Sequence, residues 1–198
     1  LSGANAGAQC TGTVNINAGG TLMTRSFRAN DHDSSQLTSI VNFNGGTLVV
    51  MPNTTTYPFI SDAGTNLTVN VQSGGAMVDT AGSSATIAKP LIDAGGGGGL
   101  TKNGNGTLTL SAGGSTYTGP TVVNAGGLGL TLPMQSSALT LANGTTNSIT
   151  VSNNSWTNTV TSVTNATINL ALGAATVAPN STVAVISTTT LNASGVNV

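Results

Sequence analysis

One phrase recurs along this chain: a short alternating run, an Asn, a Gly pair, and a second short run. It reads Val14-Asn15-Ile16-Asn17-Ala18-Gly19-Gly20-Thr21-Leu22, then Val41-Asn42-Phe43-Asn44-Gly45-Gly46-Thr47-Leu48, then Val69-Asn70-Val71-Gln72-Ser73-Gly74-Gly75-Ala76-Met77. A fourth instance is Val123-Asn124-Ala125-Gly126-Gly127-Leu128. The Gly pairs begin at 19, 45, 74 and 126, giving spacings of 26, 29 and 52, the last being twice 26. Gly98-Gly99, before Leu100, falls between the third and fourth and is placed to supply the missing turn. A period in the range of roughly 20–45 residues means one supersecondary unit per repeat, each burying its apolar side against its neighbours.

The units are strands. No stretch carries apolar residues at helical spacing over three turns, whereas short alternating runs bounded by Gly or Asn are frequent. The expected fold is all-β: a right-handed parallel β-helix, or β-solenoid, with less regular C-terminal strands. Alternate apolar residues point inward, with Asn and Thr between them outward. Gly pairs admit positive φ at the corners. Asn at equivalent turn positions is expected to form hydrogen-bonded ladders along the stack. A sandwich or antiparallel barrel also has short strands, but neither predicts one phrase at near-constant spacing. Past Leu139 the phrase blurs, so residues 1–138 are read as regular coils and 139–198 as irregular coils, a cap or an inter-subunit segment. Thr182-Val183-Ala184-Val185-Ile186 reads as a final strand.

Composition removes several function classes. Of 198 residues only nine are charged, and none lies beyond Lys102. Charged side chains make up 5%, against about 25% in an ordinary soluble domain. A net charge of −1 leaves no footprint for nucleic acid or anionic lipid. The longest apolar run, Leu170 to Ala175, is broken by Gly173 and is far short of the roughly 18 residues a membrane helix needs. Aromatics at 3% are too few for the girdles of a membrane barrel. The chain opens at Leu1 without Met or an apolar leader, as expected of a mature product or a fragment.

Gly98 to Leu130 reads GGLTKNGNGTLTLSAGGSTYTGPTVVNAGGLGL. This stretch resembles the autotransporter-associated β-strand repeat, also called the passenger-associated transport repeat. The matching elements are Gly-Gly-Leu-Thr-Lys, then Gly104-Asn105-Gly106-Thr107-Leu108-Thr109-Leu110-Ser111, then Thr116-Tyr117-Thr118-Gly119, then Val122-Val123-Asn124-Ala125-Gly126. It departs from the family at Ala112-Gly113-Gly114-Ser115, where a Gly-x-Asn phrase is usual, and at Gly127, where Thr is usual. The resemblance implies a right-handed parallel β-helix on a bacterial cell surface, in a large secreted or autotransported protein. It implies no catalytic residue, because the repeat is scaffold in that family.

Few residues offer chemistry. The densest group is Arg25, Arg28, Asp31, His32 and Asp33, between the first two repeats. It is read as a projecting loop and candidate ligand contact, since loops on a scaffold carry function. Two carboxylates fall short of the six to eight oxygens Ca²⁺ takes, and one Cys with one His cannot hold zinc, so no metal and no cofactor are expected. Asp62, Asp79, Lys89, Asp93 and Lys102 are scattered over different units. With His32 the only histidine, a Ser or Thr nucleophile lacks a choice of base, and no enzyme activity is expected. Thr pairs such as Thr107 and Thr109 sit at irregular intervals, unlike a flat ice-binding array.

The expected function is therefore structural and adhesive: an extracellular or cell-surface bacterial solenoid that self-associates head to tail into a fibre or layer. The alternative is a monomeric passenger fragment acting as an adhesin or glycan-binding module, with a polysaccharide-degrading β-helix enzyme less favoured. Cys10, the lone cysteine, and Thr182, Val183, Val185 and Ile186 are the candidate inter-subunit contacts. Cys10 is there because an odd cysteine in a secreted chain can pair with a neighbour.

Overall fold

A computed structural model describes residues 10–29, 37–52, 58–62, 66–131, 136, 138–141, 146–151, 159–162, 167–172, 183–184 and 190–194. Among the described residues there is no helix. The chain winds as a parallel β-solenoid. The first coil is β1 (Cys10–Asn17), β2 (Thr21–Thr24) and β3 (Phe27–Ala29). The second is β4 (Leu37–Asn44), β5 (Thr47–Val50) and β6 (Ile60–Asp62). The third is β7 (Leu67–Val71), β8 (Ala76–Asp79) and β9 (Ala85–Ile87). The fourth is β10 (Leu91–Asp93), β11 (Leu100–Asn103) and β12 (Thr107–Leu110).

From there, among the described residues, two strands are seen in each coil. They are β13 (Thr121–Val123) with β14 (Gly127–Thr131), and β15 (Ala138–Leu141) with β16 (Thr146–Val151). Then come β17 (Thr159–Ser162) with β18 (Thr167–Leu172), and β19 (Val183–Ala184) with β20 (Thr190–Ser194). One sheet therefore holds β1, β4, β7 and β10, and we call it the first face. The second and third faces each hold eight strands, running from β2 to β19 and from β3 to β20.

The interior is a set of apolar columns, one side chain per coil. On the first face Val14, Val41, Val69 and Leu91 stand in register. On the second face the column is Leu22, Leu48, Val78, Lys102 and Val123. On the third, Ile60, Ile87, Leu110 and Leu130 follow one another. Alternation fixes this arrangement: β7 reads buried, exposed, buried, half-buried, buried. Each fully buried Val or Leu contributes on the order of 1.5–3 kcal/mol, so the columns hold the stack without salt bridges.

Two sequence expectations need correction. Gly19-Gly20, Gly45-Gly46, Gly74-Gly75 and Gly98-Gly99 do stack in one corner, between the first and second faces, and Gly45 N–H donates to Gly75 O at 2.8 Å. Gly98 packs so closely on the preceding coil that a Cβ would overlap the carbonyl oxygen of Gln72. Gly126-Gly127 belongs to a different corner, between the second and third faces. There Gly126 (φ +69) lies against the backbone of Asn105 and Gly106. The spacing of 52 is thus a coincidence and not two periods. Paired residues differ by 26 at Thr21 and Thr47 but by 18 at Thr121 and Leu139, so the coils are not of one length.

The second correction concerns the strand at 182–186. Val183 and Ala184 pair with Val160 and Thr161, and β20 follows them, so this strand is not the last. Strand pairing also runs across residues 138 and 139 without a change of sheet.

Candidate functional site

The most unusual side chain is Lys102. In β11, Leu100 and Lys102 point inward and Thr101 and Asn103 are half-buried on the outside. Lys102 is fully buried and takes an aliphatic position in its column. Its Nζ donates to the carbonyl oxygens of Asn103 at 2.8 Å, Gly104 at 2.7 Å and Ala125 at 3.1 Å. An ammonium has three donors, and three acceptors meet them. Ala125 lies in the coil above, so the side chain clamps the fourth coil to the fifth at this corner. Burial lowers the Lys102 pKa to about 8, and the carboxylate of Asp79, one coil below, acts in the opposite direction. A lysine enclosed in this way is a corner clamp, not a surface charge. Its phase with Leu100, two residues earlier, was the sequence signal that it faces inward.

A second polar group sits against the far edge of β10, which meets the Ser115 and Thr116 hydroxyls. Leu91 N–H donates to Ser115 Oγ at 3.1 Å, and Asp93 N–H to Thr116 Oγ1 at 2.9 Å. Thr116 N–H in turn donates to Leu91 O at 2.9 Å. The next residue, Tyr117, turns into the core and is fully buried. Its Oη lies 2.7 Å from Thr121 Oγ1, which lies 2.9 Å from Ser136 Oγ, and Ser136 Oγ donates to Gly119 O at 2.9 Å. Each hydroxyl has one proton, so the chain of donors runs from Tyr117 through Thr121 and Ser136 to the carbonyl. Burial pushes the Tyr117 pKa up to about 12, with the Thr121 and Ser136 hydrogen bonds opposing.

The outer surface of the first face carries an amide ladder. Asn42 Nδ2 donates to Asn15 Oδ1 at 2.7 Å, and Asn70 Nδ2 to Asn42 Oδ1 at 2.9 Å. The expected ladders therefore exist, but this one stands mid-strand and not at a turn. A corner rung does occur where Asn124 Nδ2 donates to Asn103 Oδ1 at 2.8 Å.

The residues singled out from sequence are dispersed. Arg25 lies on the bend after β2 and Arg28 in β3, both exposed. Asp31, His32 and Asp33 lie outside the described residues, as do Thr182, Val185 and Ile186. Cys10 opens β1, its backbone opposite Leu37, and Val183 lies in β19 at the edge of the second face. Asp93 spends its carboxylate locally: Oδ1 accepts from Gly95 N–H at 2.8 Å. Among the described residues no three His, Cys, Asp or Glu side chains gather as a metal site, and no helix is long and apolar enough to cross a membrane.

Fold and corner chemistry together define a parallel β-solenoid closed by buried polar clamps. Residues 100–130 match the family model of the passenger-associated-transport-repeat. The matched segment holds β11, β12, the Ser115–Tyr117 stretch, β13 and most of β14. Neither the search of curated proteins nor that of solved structures gave a match.

Proposed function

We propose that this chain is a non-enzymatic structural segment of an extracellular, passenger-type bacterial surface protein, serving as a rigid spacer that presents its corner loops. The observation that carries this reading is the passenger-associated repeat at residues 100–130, set into a stack whose coils share continuous sheets. The buried polar groups support a scaffold role. Lys102, Tyr117, Thr121 and Ser136 are buried and hydrogen-bond protein partners in the interior. A nearly charge-free exterior lowers repulsion from a neighbouring surface. Adhesion by the Arg25 to Asp33 segment belongs to this reading as the loop that such a spacer would present.

Antibodies raised against the purified chain test the location. Labelling of intact producing cells, lost after external protease treatment, is the expected result. Labelling only after lysis would overturn it.

A further inference from the structure

Asn-Gly pairs begin at residues 44, 103, 105 and 143. Asn143-Gly144 lies outside the described residues. In such a pair the Gly nitrogen can attack the side-chain carbonyl carbon of the Asn, since no Cβ stands in the way. The fold treats the other three differently. Asn44 closes β4, and its Oδ1 accepts from Gly74 N–H at 3.1 Å. The nitrogen that would attack it, Gly45 N, donates to Gly75 O at 2.8 Å. Asn103 closes β11, and its Oδ1 accepts from Asn124 Nδ2 at 2.8 Å. Its neighbour Gly104 is hemmed in by Asp79 Oδ1 and the backbone of Ala81. Both are strand residues, so the extended backbone must leave its ladder before a ring can close. Asn105 is exposed on the bend between β11 and β12. Among the described residues no hydrogen bond holds its carboxamide or the N–H of Gly106.

We propose that Asn105-Gly106 is a site of spontaneous chemical modification, converting to aspartate and isoaspartate while the fold holds Asn44 and Asn103 back. Hydroxide removes the Gly106 N–H proton, the nitrogen bonds to Asn105 Cγ, and the Cγ–Nδ2 bond breaks with ammonia leaving. Water then opens the cyclic imide at either carbonyl, so that a C–N bond breaks and a carboxylate forms. Opening at Cγ gives ordinary aspartate. Opening at the backbone carbonyl leaves the main chain running through Cβ and Cγ. Either product puts a negative charge into the stretch beyond Lys102, which has no charge of its own. The isoaspartate product also lengthens the main chain at a corner with no room for it. Gly106 packs so closely on the Ser83 carbonyl of the preceding coil that a Cβ would overlap it, and Gly106 O accepts from Gly127 N–H at 3.2 Å. Neither a partner nor a cell-surface location is required, so antibody labelling inside cells would leave the site standing.

Peptide mapping by mass spectrometry tests it, on the full chain held at mildly alkaline pH, once folded and once in guanidinium chloride. Pepsin digestion with electron-transfer fragmentation separates Asn103 from Asn105 and aspartate from isoaspartate. In the folded chain Asn105 is expected to convert at least about tenfold faster than Asn44 or Asn103, because those two must first open locally. In denaturant the three are expected to agree within about threefold, since each precedes Gly and the fold no longer distinguishes them. Two results would overturn the proposal. One is Asn44 or Asn103 converting in the folded chain as fast as Asn105. The other is Asn105 converting more than about tenfold slower folded than in denaturant, which would show that the packing of Gly106 on Ser83 locks it.

Discussion

Lys102 and Tyr117 are buried groups whose pKa values are displaced in opposite senses, and this gives the stability of the chain a particular dependence on pH. The folded Lys102 titrates near 8 in place of 10.5. Between those values the unfolded chain holds a proton that the folded chain has released, so raising the pH stabilises the fold. The folded Tyr117 titrates near 12 in place of 10. Between 10 and 12 the folded chain keeps a proton that the unfolded chain has lost, so raising the pH destabilises it. Urea unfolding should show stability climbing from pH 8 to 10 and falling by about 2–3 kcal/mol from 10 to 12. Lys102→Met should flatten the climb and Tyr117→Phe the fall. A profile with neither limb would show that these side chains are solvated.

At the scale of elements, hydroxyls of the next coil cap the far edge of β10. Leu91 N–H is fully buried and has Ser115 Oγ as its acceptor. Ser115→Ala should therefore cost about 1–3 kcal/mol, the penalty for stranding a buried donor. Thr118 is exposed and its hydroxyl reaches Asp93 only at 3.4 Å, so Thr118→Val should stay within about 0.5 kcal/mol. Chemical unfolding midpoints compare the two, and equal losses would contradict the cap.

The strands themselves were legible from alternation, and the corner of Gly19, Gly45, Gly74 and Gly98 from its Gly pairs. The division of the Gly pairs between two corners was not. Gly126-Gly127 carries the same Asn-x-Gly signature in another corner, because any tight turn between parallel strands makes similar demands on the backbone. Lys102 was read as a scattered charge although its phase with Leu100 placed it inward; what that phase could not show is the three carbonyls, brought from two coils, that accept its hydrogen bonds. The amide ladder was foreseen as a chemistry but placed at turns, although Asn15, Asn42 and Asn70 already shared a mid-strand position in the repeated phrase.

The whole molecule is a parallel stack in which, among the described residues, two sheets hold eight strands each and the third holds four. Its second face is continuous from Thr47 through Met77, Thr101, Val122 and Thr140 to Thr161, one residue per coil. This continuity is what makes a spacer role physically reasonable, because load or length is transmitted through strand ladders and not through hinges between domains. It also distinguishes the fold from a sandwich, in which residues so far apart in sequence would have no fixed ladder between them.

Spin labels placed at Thr47 and Thr161, with their separation measured by pulsed electron resonance, test that continuity most directly. Five coil steps at the interstrand spacing predict a single narrow distribution near ~24 Å, broadened only by the label arms. A distribution centred beyond about 35 Å, or one spread over several distances, would contradict the uninterrupted stack.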